Sequence, residues 1–254
     1  MKTLRTIAEV KAELAHKTAI GLVPTMGAFH EGHLALIRAA REECETVVVS
    51  VFVNPAQFAE GDDFERYPRD EARDAALAEE ARVDVVFAPS TDELYPPGYQ
   101  TWVDVEELGA ILEGAHRLGH FRGVATVCCK LFNIVRPERA YFGQKDAQQV
   151  AVVRTMARDL NLDVRLRTVP TVRDPDGLAL SSRNAYLSTE QREQALTLPR
   201  ALATRDREQA RALLDGLEVD YLEVADFEPR VLAAAVRVGN TRLIDNVVLE
   251  GDPA

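Results

Sequence analysis

Two histidines three residues apart with a glycine between them, His30-Glu31-Gly32-His33, are the grouping in this 254-residue chain best suited to chemistry. Pro24, Gly27 and Gly32 break any helical pattern until an apolar periodic run starts at His33, so both imidazoles sit at a helix mouth. Unpaired N–H groups and the positive end of the helix dipole attract phosphate there, and glycines let a ligand approach the backbone. The two rings add donors aimed at the same anion. Such a set stabilises charge on a phosphoryl group in transfer, where a protein supplies position and electrostatics. A zinc site fits less well, because H-E-x-x-H helices carry their ligands four apart. Either ring alone could equally be an ordinary helix-end residue.

The elements that must hold this turn can be read on both sides of it. Residues 18–23 form a short apolar run, as a buried strand does, and residues 46–53 form a β-branched run ended by Asn54-Pro55. The loop at 56–63 then lies at the carboxyl end of a strand, where open α/β sheets bind ligands. Helices are expected over 4–16, 70–82, 124–135 and 147–160. Further strands are expected over 83–89, 101–105, 140–142 and 164–169. This alternation predicts an α/β fold, a Rossmann-like doubly wound parallel sheet. From Thr189 the rhythm changes to helix followed by short strands at 219–224, 232–238 and 241–246, which predicts a smaller α+β C-terminal domain. The domains are expected at 1–170 and 171–254.

Composition narrows the function. A net charge of −11 opposes a nucleic-acid partner, whose phosphates need a basic face, so a bound polyanion should be small and held locally. No apolar run approaches the ~18 residues of a membrane span. The start, Met1 to Ile7, lacks the apolar core and cleavage site of a signal peptide, which predicts a cytoplasmic protein. Three cysteines, two of them adjacent (Cys128, Cys129), make no paired framework or metal spacing and read as buried small hydrophobes.

Pyrophosphate held at the histidines needs further cations. Lys145, in the turn Gly143-Gln144-Lys145-Asp146 after a strand, offers a point charge. Ser181, Ser182 and Arg183 offer two hydroxyls and a guanidinium fork in one loop. Each is common enough alone to be a solvated surface group. In a doubly wound sheet, however, strand ends from distant segments converge at the carboxyl edge.

The turn itself is similar to the H-x-G-H signature of nucleotidylyl transferases and class I aminoacyl-tRNA synthetases. More of the chain resembles one family, the pantothenate synthetases or pantoate–β-alanine ligases. The matching runs are VPTMGAFHEGH at 23–33, VFVNPAQF at 51–58, RYPR at 66–69, HFRGVAT at 120–126, YFGQKD at 141–146, QQ at 148–149, GLALSSRN at 177–184 and RLIDN at 242–246.

By that resemblance, Met26, Gly27, Ala28, Phe29, His30, Glu31, Gly32 and His33 would line an ATP site, with His33 as catalytic proton donor beside His30. Gly143, Gln144, Lys145 and Asp146 would hold ATP, with Val172 near its base. Leu180, Ser181, Ser182 and Arg183 would form a phosphate loop. Gln57 would touch pantoate and β-alanine, and Gln149 pantoate. Neutral amides suit the hydroxyls of pantoate because they donate and accept without burying a charge. Asp74 would help place Mg2+, which prefers oxygen ligands. The family also implies a homodimer. Three departures stand out: Gln144 where Glu is common, Ala147 where an aromatic often follows, and a short stretch between Arg200 and Tyr221. The implied reaction is ATP-dependent condensation of pantoate with β-alanine through a pantoyl adenylate. Rival readings are a nucleotidylyl transferase acting on another small acid or phosphate, a tRNA-charging fragment, and a non-catalytic nucleotide sensor.

Overall fold

A computed structural model describes residues 1–59 and 64–249. Residues 60–63 of the loop expected at the sheet edge lie outside the described residues, as does the end of the chain from 250. The first sheet has six parallel strands: β1 (Lys2–Leu4), β2 (Ile20–Thr25), β3 (Thr46–Val51), β4 (Val85–Phe87), β5 (Arg139–Gly143) and β6 (Arg165–Val169). Their spatial order is β1-β4-β3-β2-β5-β6. The chain winds outward from β2 through β3 to β4, then returns beside β2 with β5 and continues to β6. The reversal therefore falls between β2 and β5, and the crevice at such a reversal is where open α/β sheets bind ligands.

Pairing widens that crevice. β2 pairs with β3 over six residues, Ile20 with Thr46 through Thr25 with Val51, but with β5 only at Gly21 and Leu22. Past Leu22 the two strands part. The inner strands β4, β3, β2 and β5 are buried on both faces, as parallel strands are, while the edge strands β1 and β6 stay partly exposed; alternate residues serve opposite layers. Leu22 and Val48 join one core with Phe121, Val124 and Met156; Val23, Val47 and Val49 join another with Phe29, Ile37 and Ala78.

The covering helices are α1 (Ile7–Leu14), α2 (Glu31–Glu43), α3 (Glu71–Glu80), the short α4 (Thr91–Leu94), α5 (Glu106–Ala110) and α6 (Glu113–His116), then α7 (His120–Val135) and α8 (Ala147–Asp159). No helix among the described residues is long and apolar enough to cross a membrane.

Three local expectations are corrected. The first helix starts at Ile7, not at 4, because Lys2–Leu4 pairs with β4 and Thr6 caps α1, its side chain accepting from Glu9 N–H. Residues 101–105 form no strand: Val103 N–H is taken at 3.0 Å by the Thr126 hydroxyl instead of a neighbouring strand. Helix α7 begins at His120, four residues early. It runs through Gly123 because a Cβ there would lie 2.2 Å from the carbonyl oxygen of Ala56, so the glycine is needed for close approach.

After β6 the chain leaves this sheet. α9 (Thr189–Ala195), α10 (Thr197–Leu202) and α11 (Arg207–Leu213) pack on an antiparallel sheet of β7 (Glu218–Ala225), β8 (Val231–Val238) and β9 (Thr241–Val248), ordered β7-β8-β9. Leu198, Leu202, Leu214, Leu222, Leu232 and Val236 fill its separate core. Arg242 of β9 ties this unit to the first: Nη1 donates to Glu113 Oε2 at 2.7 Å, while Nε donates to Asp220 Oδ2 on β7 of its own sheet at 2.5 Å.

Candidate active site

The turn after β2 is built from behind. Thr25 Oγ1 donates to the Ser50 carbonyl at 2.7 Å and accepts from Gly27 N–H at 3.2 Å. Gly27 and Ala28 both have positive φ, 83° and 53°. Such a backbone persists when its surroundings enforce it. Asp74 does so: its two oxygens accept from the N–H groups of Ala28 and Phe29, each at 2.7 Å, while Arg73 Nη1 donates to the Phe29 carbonyl at 3.1 Å.

The expected Mg2+ role for Asp74 is therefore withdrawn. It is 3% exposed and lies behind the turn, not on the cleft, with both oxygens engaged by backbone.

From this base the chain enters α2, with His30 as its N-cap. His30 Nδ1 accepts from Gly32 N–H at 3.1 Å, and His33 Nδ1 accepts from His30 N–H at 3.4 Å. The rings lie 4.1 Å apart between centroids. An imidazole whose Nδ1 accepts carries its proton on Nε2 when neutral. Both rings are held neutral. Burial pushes the His33 pKa down to about 3, helped by His30 beside it, and burial followed by Lys145 lowers that of His30. Each ring thus offers an uncharged Nε2–H to the cleft it lines. In the free protein His33 is therefore a neutral ring with no imidazolium proton to give.

Across the crevice, Gly143 ends β5 and a 3-10 turn, Gln144–Asp146, leads into α8. Lys145 and Asp146 line the cleft, with Nζ 3.4 Å from Asp146 Oδ1. Gln144 does not. Its side chain points to the second domain and donates to Asn246 Oδ1 at 3.0 Å, so its expected contact with ATP is not through that side chain. The loop after Val172 brings Leu180, Ser181, Ser182 and Arg183 to the same cleft, with Ser181 Oγ accepting from Arg183 N–H at 3.3 Å.

Met26 and Gly32 also line it, whereas Gly27, Ala28, Phe29 and Glu31 do not. Phe29 is buried in the core. Glu31 is exposed and pairs with Arg38.

Gln57 and Gln149 line the cleft with Phe52, Val124 and Leu131. Gln57 sits in the 3-10 turn Pro55–Gln57, where Asn54 Nδ2 donates to its Oε1 at 3.0 Å and to the Gly123 carbonyl at 3.1 Å. With Oε1 engaged, Gln57 keeps its N–H donors for a ligand. His120 supports the same turn: Nδ1–H donates to the Gln57 carbonyl at 2.9 Å, and Nε2 accepts from Arg117 Nη1 at 3.1 Å. Burial, with Arg117 adjacent, pushes the His120 pKa down to about 4.

Asn54 and His120 lie within runs shared with the family, but nothing in the sequence assigns them these supporting contacts. Ser50 and Thr171 carry no sequence signal, yet they line the cleft with buried hydroxyls that lack a partner among the described residues. Cys128 lines it too, as a thiol that burial raises to about 12.

The neutral His120 makes a stability prediction with a definite sign. Between about pH 6.5 and 4 the unfolded chain binds a proton there that the folded chain refuses, so stability falls as pH falls through that window, by up to about 3 kcal/mol. His120→Asn keeps an N–H donor and removes the titration. Its plot of unfolding free energy against pH should be flatter over that window than the parent's; an equal slope would show that His120 is not held neutral.

The inner cleft encloses about 230 Å3 and opens to an interdomain gap of about 710 Å3, with Lys145, Ser181 and Arg183 on both. Neutral N–H donors and flexible cations thus face each other at the switch point of a parallel sheet, beside a pocket lined by amides and apolar groups. That defines an α/β nucleotide-binding protein equipped for transfer at a phosphoryl group.

Comparison with known proteins is specific. The profile of the family described as Pantoate-beta-alanine ligase matches residues 2–248. The chain is 52% identical to a pantothenate synthetase of Chloroflexus aurantiacus, over 99% of each chain. It is similar to the crystal structure of pantothenate synthetase from Thermus thermophilus, with TM-score 0.94 and 46% identity over 99% of this chain and 100% of that one. A pantoate-beta-alanine ligase from Francisella tularensis, described as complexed with beta-gamma ATP and beta-alanine, has TM-score 0.88 and 33% identity over the full length of both chains. This chain belongs to the pantoate–β-alanine ligase family. The Chloroflexus alignment spans 279 positions against 254 residues here, so that relative has segments this chain lacks.

Proposed function

We propose that this protein condenses pantoate with β-alanine in two steps at the β2–β5 crevice, using ATP. A pantoate carboxylate oxygen attacks the α-phosphorus, the bond to the β-phosphate oxygen breaks, and pyrophosphate leaves. The β-alanine amine then attacks the acyl carbon of pantoyl adenylate, loses a proton, and AMP departs with the bridging oxygen. The observation that carries this reading is that two neutral histidine donors line one cleft with Lys145, Ser181 and Arg183, and that Gln57 and Gln149 line the same cleft.

His30 and His33 donate from Nε2 to phosphate oxygens as charge builds on them, and need no reorganisation to do so. Lys145, Ser181, Ser182 and Arg183 hold the departing pyrophosphate. The base lies by Met26 and Val172. Gln57 donates to pantoate, Gln149 binds it from α8, and the apolar wall excludes water. Mg2+ would enter with the nucleotide, neutralising phosphate charge, and would be held by Asp146, the carboxylate that lines the cleft. One carboxylate plus substrate phosphates suits Mg2+, and no cluster of three metal-ligating side chains is present among the described residues. Family resemblance supports a cytoplasmic homodimer.

The test is pyrophosphate–ATP exchange without β-alanine. Exchange that requires pantoate is expected; exchange with another acid, or nucleotide binding with no exchange, would favour a different transferase or a sensor. Gln57→Leu should raise the KM for pantoate about ten- to a hundredfold while ATP affinity holds, because ligand and Asn54 each lose a hydrogen bond. Lost ATP affinity with unchanged pantoate use would place Gln57 in the nucleotide site instead.

A further inference from the structure

The RLIDN run at 242–246 forms no part of the inner cleft, yet two of its residues hold both phosphate arms. Asn246, 5% exposed, donates from Nδ2 to the carbonyls of Gln144 and Lys145, each at 2.9 Å, and accepts from Gln144 Nε2 at 3.0 Å. Both N–H groups of the amide are thus spent on one turn. The neighbouring Asp245, 2% exposed, accepts from Arg173 Nη1 at 2.6 Å and Nη2 at 3.0 Å, and its Oδ1 accepts from Asn246 N–H at 2.8 Å. Arg173 opens a hairpin that closes by a bridge to Ala179, and its Nη1 also reaches the Gly177 carbonyl at 3.2 Å. That hairpin leads directly into Leu180–Ser181–Ser182–Arg183.

Lys145 and the serine–arginine loop approach the cleft from segments far apart in sequence, and both are anchored to adjacent residues of β9. We propose that Asp245 and Asn246 are positioning residues that set the spacing between these two arms, so that both close on one triphosphate. The inference rests on the reading that Lys145 and Ser181–Arg183 bind ATP. Neither residue lines the inner cleft. Their action is through geometry, and a misplacement of about 1 Å at a reacting centre can cost about a hundredfold in rate. A bidentate guanidinium–carboxylate pair on one side and a doubly donating amide on the other are rigid enough for that task. Gln144 takes part by accepting at its carbonyl and donating from its side chain, which gives it a purpose away from ATP.

The test is a double-mutant cycle read by pyrophosphate–ATP exchange on the full chain. Asn246→Ser keeps one hydroxyl donor in a buried site, and should raise the KM for ATP with little change in the KM for pantoate. Lys145→Ala in the parent should raise the KM for ATP roughly tenfold or more. In the Asn246→Ser background the same change should cost about threefold or less, because the arm is already displaced. Equal effects in both backgrounds would overturn the positioning role and leave Asn246 a structural tie. No effect of Lys145→Ala on the parent's KM for ATP would instead remove Lys145 from the nucleotide site, and the inference with it. If Asn246→Ser does not fold, Asp245→Asn against Ser181→Ala gives the same cycle on the other arm: a smaller effect of Ser181→Ala in the Asp245→Asn background supports positioning, and equal effects overturn it.

Discussion

His33→Ala should slow adenylate formation about a hundred- to a thousandfold while weakening ATP binding much less. The ring donates an uncharged Nε2–H from a fixed position, since its Nδ1 is engaged by the His30 N–H. Such a donor gains strength as negative charge develops on the phosphate oxygen, and losing one costs about 2.7–4 kcal/mol in the transition state. His33→Gln, which keeps a neutral N–H donor at similar reach, should recover part of the rate. A group that burial holds at a pKa of about 3 carries no acidic proton at neutrality, so the acid limb of kcat/KM for ATP above pH 5 should not belong to His33. Rapid-quench turnover beside ATP titration separates the loss in rate from any loss in binding. Near-parent turnover in His33→Ala would remove the residue from the mechanism, and a dead His33→Gln with intact fold would favour proton transfer over hydrogen bonding.

Asp74→Ala should be among the most damaging single changes to stability, at about 3–5 kcal/mol. It removes a carboxylate that accepts two backbone N–H groups, one from a buried residue, and hydrogen bonds to charged groups are worth about 1.5–3 kcal/mol each. It also frees Gly27 and Ala28 to leave their positive-φ conformations, which displaces both histidines. Denaturant unfolding measures the loss of stability, and assays over a range of Mg2+ concentration separate brace from metal ligand. Activity lost at every Mg2+ concentration is expected. A variant of parent stability whose activity returns at high Mg2+ would restore the metal role.

The sequence revealed those features whose chemistry is local. His30 and His33 declared themselves by a spacing that glycine and proline confine to a strand–turn–helix. The β-branched run at 46–53 could only be a buried strand, and the change of rhythm after 189 marked a second sheet. What it concealed depended on contacts between distant segments. Asp74 looked like a helix carboxylate available to a metal because nothing nearby shows that it meets Ala28 and Phe29, 46 and 45 residues away. Its position four before the buried Ala78, on the inward face of α3, was the available signal. Gln144 sits within a motif beside Lys145, yet its partner Asn246 is 102 residues on. Lys2–Leu4 is too short to show a period and becomes a strand only because β4 has a free edge for it. The neutrality of His33 and His120 is a property of burial, which residue type does not disclose.

The claim on which the mechanism depends is that a pantoate carboxylate oxygen bonds to the α-phosphorus of ATP before the amine arrives. Pantoate carrying a heavy oxygen isotope in its carboxylate, turned over with Mg-ATP and β-alanine, tests it directly by mass spectrometry of the products. One labelled oxygen should appear in each AMP, with its partner retained in the new amide and none in pyrophosphate. Unlabelled AMP, or label in inorganic phosphate released beside ADP, would contradict the adenylate and with it the assignment of the histidine pair to the α-phosphoryl step.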